Sequence, residues 1–253
     1  QSIAGDEFDF LTANTAQTPK ITLPSPPSMH LWRKNEGVNR SVYETDENFF
    51  RDLSAVYREE IADLSRDGCT YVQLDDVPLA MLCDDNVRSQ LNEVGMDPDQ
   101  LLDDYIQLFN ECLKDRPDTM TAAIHLCRGN YKGHFISEGG YEDVADKMFN
   151  EINADAFFLE YDSARAGDFE PLRHVPNGKM IVIGIVSSKS PKLESVGSLC
   201  ARIDEAAKFI DLDSLGLSPQ CGFASTVAGN PVTVDDQKAK LARVVEVAET
   251  VWG

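Results

Sequence analysis

Short β-rich runs alternate with amphipathic helical stretches along the whole chain. The runs are nearly all apolar, as expected for strands that are buried on both faces of a sheet. They lie at residues 20–24, 71–75, 121–127, 156–160, 180–186 and 215–221. The stretches between them carry apolar residues at three- and four-residue spacing, which is typical of amphipathic helices. The clearest of these cover 46–66, 99–114, 141–152, 198–209 and 235–252. Successive βα units of this kind predict an α/β fold with a parallel sheet.

The number of predicted units is small for the length of the chain. A (β/α)8 barrel usually takes about 250 residues and eight units, whereas these 253 residues form six units. We therefore expect either an open six-stranded sheet or a TIM barrel whose first strands are missing, and the helix-like segment ahead of the first run favours the barrel. The open sheet edges of such a barrel must be covered, by residues upstream or by a partner segment or second copy.

Charge and cysteine content exclude several classes of protein. The chain has 43 acidic and 23 basic residues, a net charge of −20, which disfavours binding to nucleic acid or to an anionic membrane. No apolar run approaches the roughly 20 residues that span a bilayer, and no signal peptide is visible. Six cysteines are too few for a disulfide scaffold, so we expect a cytoplasmic protein with reduced thiols.

Chemically reactive side chains follow five of the six predicted strands. They are Asp75, His125 with Cys127, Glu160, Ser187 and Cys221. The carboxyl ends of parallel strands open on one face, where such folds place their sites. His125 and Cys127 are two residues apart and therefore point to the same side of a strand. Together with Glu160 and Cys221 they form a mixed nitrogen, sulfur and oxygen set that suits tetrahedral Zn²⁺.

Simpler interpretations apply to the other candidates. A single His-x-Cys pair on a strand is more often structural, and a carboxylate such as Asp76 can cap the following helix. Cysteines in apolar stretches are expected in the core: Cys69, Cys112 and Cys200. Cys83 could belong to either group. Three histidines in polar segments could be solvated: His30, His134 and His174.

Four stretches together resemble a known family. VQLDDVPLA, HLCRGN, FFLEYDSARAGDFEPL and LSPQCGFAST are similar to the catalytic C-terminal barrel of cobalamin-independent methionine synthase and to its shorter single-barrel relatives. The resemblance extends from about Gly5 to Gly253. It implies a (β/α)8 TIM barrel of the methionine synthase/uroporphyrinogen decarboxylase-like type with about six of its βα units present. Residues 1–253 would then form a single catalytic barrel domain whose N-terminal strands are missing.

The resemblance also implies roles for individual residues. The zinc ligands would be His125, Cys127, Glu160 and Cys221. Asp75 matches the aspartate that binds the amino group of homocysteine, and Trp32 lies where the family has a tryptophan against the folate pterin. Ser187 follows the strand that carries a histidine proton donor in the full methionine synthase, which makes it the candidate at that catalytic position.

Three further interpretations rest on the residues themselves. Arg128 directly follows the His-x-Cys strand, where it could hold a substrate carboxylate or phosphate or pair with a surface acid. Asp162, Arg165 and Asp168 are expected to form a loop network that supports Glu160. Gln220, Ser225 and Thr226 flank Cys221 and could position its loop; Ser225 lies outside the residues that the structure describes.

The expected activity is zinc-dependent transfer of a methyl group to a small-molecule thiol such as homocysteine. A free thiol has a pKa near 8.5 and reacts as the thiolate, which a metal ion favours by deprotonating the thiol. Glu160 is the weak ligand that can leave when the substrate sulfur enters. One alternative is alkyl transfer from an epoxide or other electrophile to a thiol such as coenzyme M, and another is a non-catalytic zinc-binding module.

Overall fold

The computed structural model describes residues 2–32, 37–224 and 226–253, and its centre is one parallel sheet of six strands. The strands are β1 (Ile21–Pro24), β2 (Tyr71–Asp76), β3 (Thr121–Leu126), β4 (Ala156–Glu160), β5 (Met180–Val186) and β6 (Leu215–Pro219). Each pairs with the next in chain order. The predicted α/β fold with six parallel strands is confirmed, because each strand is followed by helical structure that returns the chain to the same end of the sheet.

Helices fill the connections between the strands. They are α1 (Gly5–Asn14), α2 (Ser28–Leu31), α3 (Asp46–Arg66), α4 (Pro78–Met81), α5 (Asp85–Glu93), α6 (Pro98–Leu113), α7 (Glu142–Glu151), α8 (Val196–Ala206) and α9 (Val234–Trp252). Short 3-10 turns lie at Ala164–Ala166, Glu170–His174 and Leu212–Ser214. The long helices agree with the predicted stretches, whereas α2, α4 and α5 were not predicted.

The first long helix shows how local sequence sets its ends. The Thr45 side chain accepts a hydrogen bond from the Asn48 N–H and so satisfies one donor that α3 leaves unpaired. At the other end the helix stops at Arg66, and Gly68 adopts a φ of +96°. No atom would touch a Cβ at Gly68, so its backbone conformation and not crowding favours glycine there.

The two faces of the sheet carry different residues. Phe157 of β4 points outward and meets Phe149 of α7 edge to face, with ring centroids 5.2 Å apart. Its neighbours Phe158 and Glu160 alternate with it and lie with polar groups of the adjacent strands. The apolar core therefore lies between sheet and helices, and the inward face is free to carry chemistry.

His30 differs from expectation. It was a candidate for a solvated position, but it lies in α2 with only 1% of its surface exposed. Its Nδ1 is 2.9 Å from the Tyr105 hydroxyl, and the rings of Phe50 and Tyr105 meet it edge to face. Aromatic side chains from α3 and α6 therefore enclose a histidine whose local sequence is polar.

Two further observations complete the fold. Within the described ranges, no helix is both long enough and apolar enough to cross a bilayer. Cys69 and Cys112 are buried in the core as predicted, Cys83 is buried with them, and Cys200 is half-buried.

Candidate metal and substrate site

Strand register brings the predicted ligands to one end of the sheet. Asp75 of β2 and His125 of β3 are direct register partners, and His125 Nε2 lies 3.7 Å from Asp75 Oδ1. The same nitrogen is 3.8 Å from Oε1 of Glu160, at the end of β4. One potential ligand atom from each of His125, Cys127 and Glu160 falls within 4.8 Å of the others. The sheet therefore collects nitrogen, sulfur and oxygen donors at one point, the predicted face.

Cys221, which follows β6 by two residues, joins this group. Its thiol interacts with the side chains of Cys127 and His125. The hydrogen bond from Cys127 lowers the pKa of the Cys221 thiol, while the same contact together with burial raises the pKa of Cys127. The Gly129 N–H donates a hydrogen bond to Cys127 Sγ at 3.3 Å. Burial lowers the pKa of His125, but the interaction with Cys221 and nearby negative charges outweigh it and leave the pKa raised.

The donor atoms fit a metal ion. Three of them are buried without a hydrogen-bond partner among the described residues: His125 Nε2, Glu160 Oε1 and Asp75 Oδ1. His125 Nδ1 lies 3.1 Å from the Phe158 carbonyl oxygen, which selects the tautomer whose Nε2 lone pair is available for an ion. Buried polar atoms are normally paired, so their convergence beside two cysteines is an arrangement that zinc would satisfy.

Glu160 is fully buried and is held at both its backbone and its carboxylate. The Tyr141 hydroxyl donates to the Glu160 carbonyl at 3.2 Å and accepts from the Glu160 N–H at 3.1 Å. Oε2 of the carboxylate accepts hydrogen bonds from Arg165 Nη2 at 3.0 Å, Lys189 Nζ at 3.1 Å and Gln220 Nε2 at 3.0 Å. Oε2 thus accepts three hydrogen bonds, whereas Oε1 faces His125.

The predicted loop network around Glu160 is present in part. Arg165 bridges Glu160 and Asp162, with its Nη2 2.8 Å from Asp162 Oδ1. Asp168 instead accepts from the Glu170 N–H at 3.0 Å and shapes a 3-10 turn. Asp76 takes the capping role, because its carboxylate accepts from the Leu79 N–H at 2.7 Å and from the Ser25 hydroxyl at 2.6 Å.

Ser187 lies in the same hydrogen-bond network. Its hydroxyl is 3.1 Å from Asp162 Oδ2 and 3.2 Å from Gln220 Oε1. Gln220 thus connects Ser187 to Glu160, as well as adjoining Cys221 in the chain. The structure places Ser187 near the ligand cluster, and its catalytic role stays a prediction.

A cavity of about 490 Å³ opens beside the cluster. Its walls include Asp75, His125 and Cys221 and, further along the inward face, Lys20, Gln73 and Phe158. Lys20 Nζ donates to Gln73 Oε1 at 2.7 Å and stands 4.1 Å from the Phe158 ring centroid. Burial lowers the pKa of Lys20, which nearby Asp75 partly offsets, and burial also raises the pKa of Asp75. This volume lies in the range of small-molecule sites.

The two other candidate substrate-binding residues, Trp32 and Arg128, lie outside the wall of this cavity. Trp32 follows α2 with 53% of its surface exposed, and residues 33–36 after it lie outside the described ranges. Arg128 is fully buried, with its guanidinium 4.5 Å from the centre of the Tyr141 ring. Their substrate-binding roles stay predictions, and neither residue is part of the wall of the 490 Å³ cavity.

Sequence reasoning missed Lys189, Lys20 and Tyr141. Lys189 lies 29 residues from Glu160 and Tyr141 lies 19 residues from it, so no local pattern connects them. A useful signal for Lys189 was its position just after the fifth strand, at the same end of the sheet as the other candidates.

The architecture and the site together define a class of protein: a parallel α/β barrel-type sheet with a potential metal site at the carboxyl ends of its strands. Comparison with known sequences identifies the family. Residues 37–250 match the family described as "Cobalamin-independent synthase, Catalytic domain", and the chain belongs to this family, which the sequence resemblance had indicated.

Individual relatives agree with the family match. YxjG of Bacillus subtilis, described as uncharacterized, is 41% identical over 98% of this chain and 65% of its own length. A structure from Listeria monocytogenes, assigned as a vitamin-B12-independent methionine synthase, is 31% identical with a TM-score of 0.79, covering 100% of this chain and 70% of that one. A B12-independent methionine synthase from Shewanella, in complex with selenomethionine, shares the fold at 20% identity and a TM-score of 0.73, over 99% of this chain and 67% of that chain. The chain thus spans about two thirds of the length of these relatives.

Proposed function

We propose that this domain transfers a methyl group to a small-molecule thiol, with homocysteine as the best candidate, at a zinc ion held by His125, Cys127, Glu160 and Cys221. The observation that carries the proposal is the convergence of two buried orphaned atoms, His125 Nε2 and Glu160 Oε1, beside the Cys127–Cys221 pair. These are the donor types that zinc prefers. The family match supports the same reaction class.

When bound, zinc would deprotonate a substrate thiol near neutral pH, which makes its sulfur a better nucleophile. The surrounding residues supply binding and orientation. The Asp75 carboxylate borders the 490 Å³ cavity and His125, so it is placed to receive the ammonium group of an amino-acid thiol. The Cys127 sulfur is held by the Gly129 N–H, whereas Glu160 offers a single oxygen, which makes it the ligand most easily replaced by an entering sulfur.

The remaining expectations are part of this proposal. The methyl donor is a small molecule, and Trp32, Ser187 and Arg128 are the residues proposed to act on the substrates. We also propose a cytoplasmic location, no nucleic-acid or membrane partner, and a partner segment or second copy that pairs with the open edges of the sheet. The net charge of −20 supports the exclusion of nucleic-acid and membrane partners.

Zinc content and thiol methylation test the proposal together. We expect about one zinc per chain in the purified protein, strong loss of zinc in Cys221→Ser, and retention in Cys200→Ser, because Cys200 lies on α8 away from the cluster. Methyl transfer would be assayed with a panel of thiols that includes homocysteine and coenzyme M and with several methyl and alkyl donors. A protein that carries no zinc, or that keeps full activity in Cys221→Ser, contradicts the proposal. Activity on coenzyme M alone would favour the alkyl-transfer alternative.

A further inference from the structure

Two cations and one amide converge on a single oxygen of Glu160. Arg165, Lys189 and Gln220 all donate to Oε2 at 3.0 to 3.1 Å, while Oε1 accepts no hydrogen bond from the described residues and faces His125 Nε2 at 3.8 Å. The side chains of Arg165 and Lys189 are each only 7% exposed, and that of Glu160 is not exposed at all. Water therefore screens these charges weakly.

This arrangement is unusual for a group whose only task is structural. A carboxylate that simply neutralised two buried cations would share them between both oxygens, because each oxygen carries two acceptor positions. Here the cations and Gln220 occupy one oxygen and leave the other directed at the ligand cluster. The carboxylate is thus fixed in rotation, and part of its negative charge is neutralised on the side away from the ligands.

We propose that Lys189 and Arg165 are positioning residues that make Glu160 a one-oxygen, weakly bound and replaceable ligand. With Oε2 saturated, Glu160 cannot coordinate through both oxygens. With two positive charges beside it, its remaining oxygen donates less strongly than a free carboxylate would. With zinc bound, Glu160 would therefore be the ligand that an entering thiol replaces, and His125 and the two cysteines would keep their places. This inference rests on the proposed zinc site and adds the reason why Glu160 is its replaceable ligand: the two cations beside its Oε2.

The two cations have separate parts in this arrangement. Arg165 is also tied to Asp162, so its loss would disturb the loop after β4. Lys189 has Glu160 as its ion-pair partner in the described structure, which makes it the cleaner position to change. Lys189→Met keeps the length and the apolar stem while removing the charge, and Lys189→Arg restores the charge.

The test compares zinc affinity with the affinity of the zinc-loaded protein for L-homocysteine. X-ray absorption at the zinc edge counts the sulfur neighbours before and after the thiol is added. In the wild type we expect two sulfurs to become three. In Lys189→Met we expect zinc affinity to be unchanged or higher, while about tenfold more thiol is needed for the third sulfur. Lys189→Arg should return the thiol requirement to that of the wild type.

Each outcome of this test either supports or overturns the positioning role of Lys189. A merely structural Lys189 would lower zinc affinity and thiol binding in parallel, and that result, or an unchanged thiol requirement in Lys189→Met, overturns the positioning role. Lys147→Met, which removes a surface lysine paired with Asp103, is the charge-matched control and should change neither affinity. If Lys189→Met does not fold, Lys189→Gln replaces it. A wild-type protein that binds no zinc refutes the proposed function itself, whereas wild-type behaviour in the variants refutes only the role of Lys189.

Discussion

The Tyr141 hydroxyl hydrogen-bonds to both backbone polar groups of Glu160, at 3.1 Å to the N–H and 3.2 Å to the carbonyl. A side chain at the start of α7 thereby substitutes for strand pairing at the end of β4. The residue that it holds is the one whose carboxylate faces His125, so the position of a proposed ligand depends on the Tyr141 hydroxyl.

Removal of this hydroxyl should destabilise the protein. We expect Tyr141→Phe to lower the free energy of unfolding by about 1–3 kcal/mol, because a buried N–H and carbonyl lose their partner. The measurement is urea unfolding followed by circular dichroism. Tyr161→Phe is the matched control, since Tyr161 is equally buried but its hydroxyl has no hydrogen-bond partner within the described ranges. Equal losses in the two variants would show that the Tyr141 bonds contribute nothing specific.

Asp75 and Asp76 are adjacent in β2, but we expect Asp76 to contribute to stability and Asp75 to substrate binding. Asp76→Ala should cost about 1–3 kcal/mol of stability, because the Leu79 N–H and the Ser25 hydroxyl both lose a buried acceptor. Asp75→Ala should change stability by at most about 0.5 kcal/mol, since the Asp75 side chain is 40% exposed and its Oδ1 accepts no hydrogen bond from the described residues. It should instead weaken the binding of an amino-acid thiol. Thermal unfolding and thiol titration of both variants measure this difference, and similar stability losses would contradict it.

His30 should make stability depend on pH. Burial lowers the pKa of His30 in the folded protein, and the contact with Asp46 offsets this only in part. Above about pH 7.5, a full unit above the ordinary histidine pKa of about 6.5, the residue is neutral in both states. As the pH falls through that ordinary pKa, the unfolded chain binds a proton that the folded protein resists, so stability is lost.

We therefore expect the stability of the wild type relative to His30→Asn to decrease between about pH 7.5 and pH 5.5. Urea unfolding at a series of pH values measures the difference. His134→Asn is the control, because His134 is exposed. A relative stability that stays constant or rises as the pH falls would refute the assignment.

Removal of the proposed zinc ion should leave the fold largely intact. The core is built from fully buried residues on the outer face of the sheet, among them Val72, Ile124 and Phe157, and these contacts do not involve the ligands. A chelator should therefore abolish the proposed methyl transfer with little change in far-ultraviolet circular dichroism. Cooperative unfolding on chelation would instead support a structural zinc module.

Local sequence predicted the strands closely and the short helices poorly. The run 121–127 corresponds to Thr121–Leu126, and 215–221 to Leu215–Pro219. The predicted runs extend one or two residues too far. A strand ends where its hydrogen bonding to the neighbouring strand stops, and the apolar composition of the sequence does not report that point. Ser28–Leu31 and Pro78–Met81 are single turns, too short for a helical period to be visible.

The candidate site, too, could be predicted from the sequence only in part. His125 and Cys127 could be placed on one side of a strand from their two-residue spacing alone. That Glu160 presents one oxygen to His125 could not be predicted, because its orientation depends on Arg165, Lys189 and Gln220. Likewise, the polar sequence around His30 gave no indication that rings from two later helices cover it.

The amino-acid sequence by itself determined the order of strands and helices, the parallel sheet and the end of that sheet at which reactive side chains gather. These follow from hydrophobic period and from chain order, which are local properties. Only the tertiary structure decided which atoms of those side chains are satisfied and which remain available. That outcome depends on hydrogen bonds between residues far apart in the chain, and they form only when β4, β5 and β6 bring Glu160, Lys189 and Gln220 together.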